Sequence, residues 1–167
     1  MCGAYANGPA AERSKMHIEE ISSTSAGDLD AVIELLHRQM TDIGSSKPKE
    51  RIRKAVQNAL QPGSRARFFV LYRQSVPVGM AFLNVCSGIE SEGDYVWLNE
   101  IQIDPIFRKQ GYGKYLLNHI VQWAQKNRCK HVFSVTAPKN TASQTLFQSM
   151  GFQAAETQWM DLEIPSG

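Results

Sequence analysis

Apolar positions along the chain follow two rhythms. A repeat of two predicts strands, and a repeat of three and four predicts helices. Residues 17–22 read as a first strand, and residues 28–40 as an amphipathic helix with Leu29, Val32, Ile33, Leu35 and Leu36 on one buried face. Residues 49–60 predict a second helix through Ile52, Val56 and Leu60. It stops at Pro62 and Gly63, because proline lacks the backbone donor and glycine tolerates left-handed angles. Residues 67–72 and 78–86 are apolar runs joined through a short connection holding Pro77, which predicts an antiparallel hairpin, with Gly79 a candidate bulge.

A polar, acidic loop over residues 87–94, carrying Glu90, Glu92 and Asp94, leads into a strong strand over residues 95–103 that Asp104 and Pro105 end. A helix over residues 113–126 follows, its apolar stripe made by Leu116, Leu117, Ile120, Val121 and Ala124. Residues 131–136 predict another strand and residues 141–150 another helix closed by Gly151, with final strand candidates at Phe152 and residues 159–164. The early hairpin implies antiparallel pairing, and the later strand-helix alternation implies a parallel crossover. The expected fold is therefore a single α/β (α+β) domain: a central mixed, mostly antiparallel sheet flanked by about four helices.

Composition narrows the function without naming it. At 167 residues one core suffices. Eighteen basic and sixteen acidic residues leave a charge of +2, which disfavours nucleic acid as a partner. The cysteines Cys2, Cys86 and Cys129 have neither disulfide-framework nor zinc spacing and suit a reducing, cytoplasmic setting. The four histidines show no metal-ligand spacing, so no metal is expected, and Trp123 and Trp159 read as packing residues. Residues 1–15 contain no apolar run, are expected to form a disordered tail, and suggest neither signal peptide nor membrane anchor.

The candidate chemistry begins at Arg108-Lys109-Gln110-Gly111-Tyr112-Gly113-Lys114, between a strand and the start of a helix. Free backbone N–H groups and the helix dipole attract an anion there, the glycines allow close approach, and Arg108, Lys109 and Lys114 add positive charge. The dinucleotide fingerprint fails because Leu116 stands where its third glycine belongs. The Walker loop fails because Tyr115 follows Lys114.

In this context the sequence resembles the GNAT superfamily of acyl-CoA-dependent N-acyltransferases, whose signature R/Q-x-x-G-x-G/A stands here as Arg108, Gly111 and Gly113 after the strand that ends Ile101-Gln102-Ile103. A second stretch, Asn140 through Gly151 and Phe152, is also similar to the family's. The resemblance implies that residues 16–167 form one N-acetyltransferase domain with acetyl-CoA as cosubstrate. It implies that Ile101, Gln102 and Ile103 offer backbone groups to pantetheine, that the turn from Arg108 to Lys114 holds the pyrophosphate, and that Asn140 and Ser143 add cofactor contacts. Asn140 also reads as the N-cap of its helix.

Direct transfer to an amine, of a small molecule or a peptide, requires removal of a proton, stabilisation of an oxyanion and release of a thiolate. Glu100, a carboxylate inside an apolar run, is the first candidate base, with Glu90, Glu92 and Asp94 as competitors. Asn99 stands where several relatives carry an acid. Strict alternation puts Asn99 and Glu100 on opposite faces, so only a bulge lets both contribute. Gln39, Asp42 and the acidic loop are expected to attract a cationic acceptor. Phe147 occupies the position where many relatives carry a tyrosine that protonates the thiolate. The alternative is therefore a catalytically impaired CoA-binding regulatory or interaction module. The oligomeric state stays open, a homodimer included.

Overall fold

The structure is a computed structural model that describes residues 16–21 and 29–164. The expected tail 1–15, strand position 22 and helix position 28 lie outside the described residues. The internal contacts form two compact units that divide between Val135 and Thr136.

The first unit carries a five-stranded sheet in the order β1-β2-β3-β4-β5. The strands are β1 Met16–Ile21, β2 Ala66–Arg73, β3 Val76–Gly88, β4 Gly93–Ile103 and β5 Val132–Ser134. Neighbours from β1 to β4 pair antiparallel, and β4 pairs with β5 in parallel. Helices α1 Leu29–Asp42, α2 Lys49–Ala59 and α3 Tyr112–Lys126 belong to this unit, and α4 Thr141–Gln148 to the second. This is the mixed, mostly antiparallel sheet with four helices that the periodicities imply. No described helix is long and apolar enough to cross a membrane.

Alternation along β2 divides the core. Phe68, Val70 and Tyr72 join Val32, Ile33, Leu35 and Leu36 of α1 and Ile52 and Val56 of α2 in one buried cluster. Each of these large side chains contributes about 1.5–3 kcal/mol by leaving water. Phe69 points the other way, its ring meeting His119 and Trp123 of α3 edge-on at 5.4 and 5.7 Å. Burial on that face lowers the pKa of His119. The helices thus lie on both faces of the sheet, α1 and α2 on one and α3 on the other.

Gln39 is the exception on the inner face of α1. It is completely buried, and among the described residues neither atom of its amide has a hydrogen-bond partner. An unsatisfied buried amide destabilises by about 1–3 kcal/mol. Gln39→Met is accordingly expected to raise the urea midpoint, by roughly 1 kcal/mol of stability. An unchanged or lower midpoint would show that the amide is satisfied in solution.

Several expectations are corrected. The bulge in β3 falls one residue before the expected place: Leu71 pairs with Gly79 and Tyr72 with Pro77, leaving Val78 unpaired. Gly79 instead permits close approach of β4, since a Cβ there would lie 2.9 Å from the Gln102 carbonyl oxygen and 2.5 Å from Ile103 Cδ1. Gly79→Ala should cost about 1–3 kcal/mol through overpacking, measured as a lower denaturation midpoint. The acidic loop shrinks to a turn over residues 89–92, because β3 and β4 pair as far as Gly88 and Gly93.

The strand expected over residues 131–136 is only Val132–Ser134. The final strand candidates do not form strands. Gly151, at φ 86°, closes α4, and Phe152 folds back so that its N–H donates to the Phe147 carbonyl at 3.1 Å and its ring meets Phe147 at 5.0 Å. Trp159, expected to pack, is 65% exposed. Apolar alternation makes a strand only where a neighbouring edge pairs with it, and no such pairing is described for residues 159–164.

Candidate active site

The centre of the site is a bulge in β4. Leu98 pairs with Leu83 and Glu100 with Phe82, so Asn99 is the extra residue. Without it Glu100 would alternate onto the α3 face. With it, Glu100 turns to the α1 and α2 face beside its partner Phe82. Asn99 stays on that same face, its amide 2.8 Å from that of Asn84. In the orientation that satisfies both ends of the Asn99 amide, its nitrogen donates to the Trp97 carbonyl at 3.1 Å and its oxygen accepts from the Trp97 indole at 3.2 Å. The two candidate residues therefore share a face, with Asn99 held by its neighbours.

Glu100 lines a cavity of about 390 Å³. Phe68, Met80 and Phe82 of the sheet form its base with Glu100, Leu36 and Met40 of α1 one wall, and Ile52, Ala55, Val56 and Ala59 of α2 the other. Burial raises the pKa of Glu100, and the Lys47 charge draws it partly back. Gln102, on the same face, donates from Nε2 to Glu100 Oε2 at 3.3 Å. A carboxylate partly shielded from water has a greater affinity for protons and is better matched to an amine than an ordinary surface glutamate.

The competing carboxylates stand apart. Glu92 precedes Glu100 by eight residues, about 26 Å along an extended strand. Asp94 accepts from Ser87 at 2.7 Å and pairs with Arg65, and these contacts hold its pKa below the ordinary range. Asp42 pairs with Arg108 at 2.8 Å. Gln39 is buried. The acidic group expected to draw in a cationic acceptor is thus dispersed or already paired.

The other half of the site is the edge of β4 and the turn after it. Pairing with β5 covers only Val96, Trp97 and Leu98. Beyond Leu98, among the described strands, only β3 pairs with Ile101, Gln102 and Ile103. Asp104 is buried, caps the 3-10 turn Pro105–Phe107 by accepting from the Ile106 N–H at 3.2 Å, and pairs with Arg38 at 2.8 Å. Arg108 then spans two elements, donating from Nε to the Ile103 carbonyl at 2.9 Å as well as pairing with Asp42. Its guanidinium ties α1 to the end of β4.

Gln110 turns back to the Ile106 carbonyl at 3.3 Å, and Lys109 adopts φ 59°. Gly111, at φ 86°, is the N-cap of α3, and no side chain caps that helix. Tyr112 is buried with its ring 6.2 Å from Phe107. The first turn of α3 contains Gly113 and Lys114 and no acidic residue. Its N–H groups are available to an anion, and its dipole favours one. These features and the open edge of β4 fit an acyl-CoA, with pyrophosphate at the turn and an amide-bearing arm along the strand.

In the second unit, Asn140 caps α4 by accepting from the Ser143 N–H at 3.1 Å. Phe147 is 7% exposed and offers no acidic proton. Two cations that sequence reasoning overlooked, Lys47 and Arg51, line the cavity. For Arg51 the signal was legible, since positions 51, 55 and 59 make a stripe at spacing four along α2, whereas Lys47 precedes that helix.

A sheet opened along β4, followed by an uncapped, glycine-led helix, defines an acyl-CoA-type scaffold. The sequence profile of the acetyltransferase (GNAT) family matches residues 29–152. The chain belongs to that family. Two aminoglycoside N(6')-acetyltransferases, from Salmonella typhimurium and Salmonella enteritidis, are each 30% identical to it over 92 residues, 53% of this chain and 63% of theirs. The chain therefore spans less than two thirds of the length of these relatives. The crystal structure of a possible acetyltransferase from Clostridium difficile 630 matches with a TM-score of 0.78 at 16% identity, covering 90% of this chain and 99% of that one. An aminoglycoside N-acetyltransferase in complex with CoA matches with a TM-score of 0.72 at 22% identity, covering 89% and 94%. At such identities the structural likeness is one of fold.

Proposed function

We propose that the protein is an N-acetyltransferase that moves the acetyl group of acetyl-CoA to the amine of a small molecule, with residues 16–167 working as one domain. The observation that carries this reading is Glu100, a half-buried carboxylate lining a cavity, one residue past a bulge where β4 loses its parallel partner. Bound acetyl-CoA supplies an activated acetyl thioester. The N–H groups of Gly111, Tyr112, Gly113 and Lys114 hold its pyrophosphate, with Lys109 and Gln110 beside them. Backbone groups of Ile101, Gln102 and Ile103 hold the pantetheine amides. For Asn140 and Ser143 a cofactor contact rests on the family resemblance alone.

Glu100 takes the proton from the acceptor ammonium, directly or through a water, because only the free amine has a lone pair. Glu100 lies about 7 Å along the strand from Leu98, where the parallel pairing ends, so an amine at the carboxylate lies beside the open edge that would carry the acyl group. Asn99 positions this stretch through Trp97 and Asn84. With Phe147 in place of a tyrosine, the thiolate leaves without a side-chain acid from that position. A thiol pKa near ~8.5 makes that tolerable.

Release of free thiol from acetyl-CoA, above the hydrolysis blank and dependent on an added amine, tests the reading. CoA binding without turnover across a broad amine panel would replace it with the regulatory CoA-binding module that Phe147 also permits.

A further inference from the structure

The cavity beside Glu100 has a charge pattern that selects among amines. Most of its lining is apolar, supplied by Leu36, Met40, Ile52, Val56 and the sheet residues. Glu100 is the one carboxylate among the lining residues, and the only cations there are Lys47 and Arg51, both exposed and therefore on its solvent side. The cations next to them in sequence are neutralised: Lys49 pairs with Glu34, and Arg53 with Asp30 at 2.7 Å. No ion pair among the described residues engages Lys47 or Arg51. The seam between α1 and α2 thus carries ion-paired charges on one side and, where a ligand would enter, two cations outside any ion pair among the described residues.

We propose that the acceptor is a small amine with an apolar body and an anionic group, its nitrogen at Glu100 and its anion at Lys47 and Arg51. This substrate class rests on the acetyltransfer reading above. A polycation is opposed by the same cations and offered a single half-buried carboxylate, whereas a carboxylate on the acceptor neutralises them at the mouth. A volume of about 390 Å³ lies at the small end of ligand pockets, enough for one ring or a short aliphatic body. Aminoglycosides, the acceptors named for the curated relatives, are the wrong charge for this cavity.

The test compares phenethylamine, its carboxylate-bearing analogues phenylalanine and aminoethylbenzoate, and kanamycin, by thiol release with acetyl-CoA. At least one carboxylate is expected to exceed phenethylamine about tenfold in kcat/KM, the effect of two partly exposed charge contacts. Arg51→Ala should shrink that ratio, and Arg51→Ala with Lys47→Ala should bring it near one. Arg51→Ala should act on KM and move the pH midpoint less than Lys47→Ala does, because Lys47 is the cation that lowers the Glu100 pKa. Lys47→Ala should also move the acid limb to higher pH, since it removes the charge that lowers the Glu100 pKa. A preference for kanamycin or phenethylamine, or a ratio that survives in the double variant, overturns the proposal. If no amine is acetylated, the acetyltransfer reading has failed, and calorimetry with CoA present decides the inference separately. Binding of a carboxylated amine that the double variant weakens about tenfold upholds it, and binding without that preference overturns it.

Discussion

Glu100→Gln should lower kcat by about a hundredfold or more while leaving CoA affinity unchanged, the usual scale for removing a general base. The change is nearly isosteric, so a loss of this size reports proton transfer and not packing. In the native protein kcat/KM should rise with pH through a midpoint above the ordinary glutamate range, because burial raises the Glu100 pKa and only the ionised form accepts a proton. The charged groups lining the cavity with Glu100 are Lys47 and Arg51, and of these Lys47 opposes the rise. A variant that keeps its rate, or an unchanged pH limb, would remove Glu100 from the chemistry.

The same substitution has a signature in stability. With a pKa raised by folding, Glu100 binds its proton more tightly in the folded chain than in the unfolded one. The stability this linkage gives is full below the unfolded-state pKa and is lost as pH rises through the folded-state value. Glutamine has no such loss. Glu100→Gln should therefore melt higher than the native protein at neutral pH, with the gap closing toward acidic pH. Activity and stability move in opposite directions, as expected where a partly desolvated charge is kept for its chemistry.

Gly111→Val should weaken CoA binding by at least tenfold, measured by calorimetry. At φ 86° a β-branched residue is strained, and relief of that strain turns away the first N–H groups of α3. A Cβ at Gly111 would have no atom within 4 Å, so any loss arises from the backbone and not from a collision inside the protein. Gly111→Ala, with less steric demand, should fall between. Equal CoA affinity in all three proteins would place the pyrophosphate elsewhere.

Helices were the most legible part of the chain, since α1, α2 and α3 each carry an apolar stripe, and Pro62 and Gly63 mark the stop after α2. The long hairpin strands were legible for the same reason, although their reach was underestimated. Ser87 and Asp94 look like loop residues by type, yet the hydrogen bond between them closes a cross-strand pair. The bulge at Asn99 could be named only as a condition. Nothing local to Asn99 marks it, because it depends on where Leu83 and Phe82 find partners across the sheet. Arg108 shows a similar limit. Its positive charge reads as phosphate-binding, but the side chain is spent on Ile103 and Asp42, a contact 66 residues away in sequence. Residues 159–164 mislead in the other sense, having the rhythm of a strand without an edge to join.

The extra residue in β4 makes the site sensitive to counting. Each neighbour along a strand changes sides, so the face that receives the carboxylate is set by whether the number of residues after Leu98 is odd or even in effect, and Asn99 supplies the correction. A substitution at position 99 leaves that parity intact. Loss of one residue there would carry Glu100 through the sheet, from the cavity to the layer packed beneath Leu116 and Leu117. The reactive group is addressed by the length of its strand as much as by its own identity.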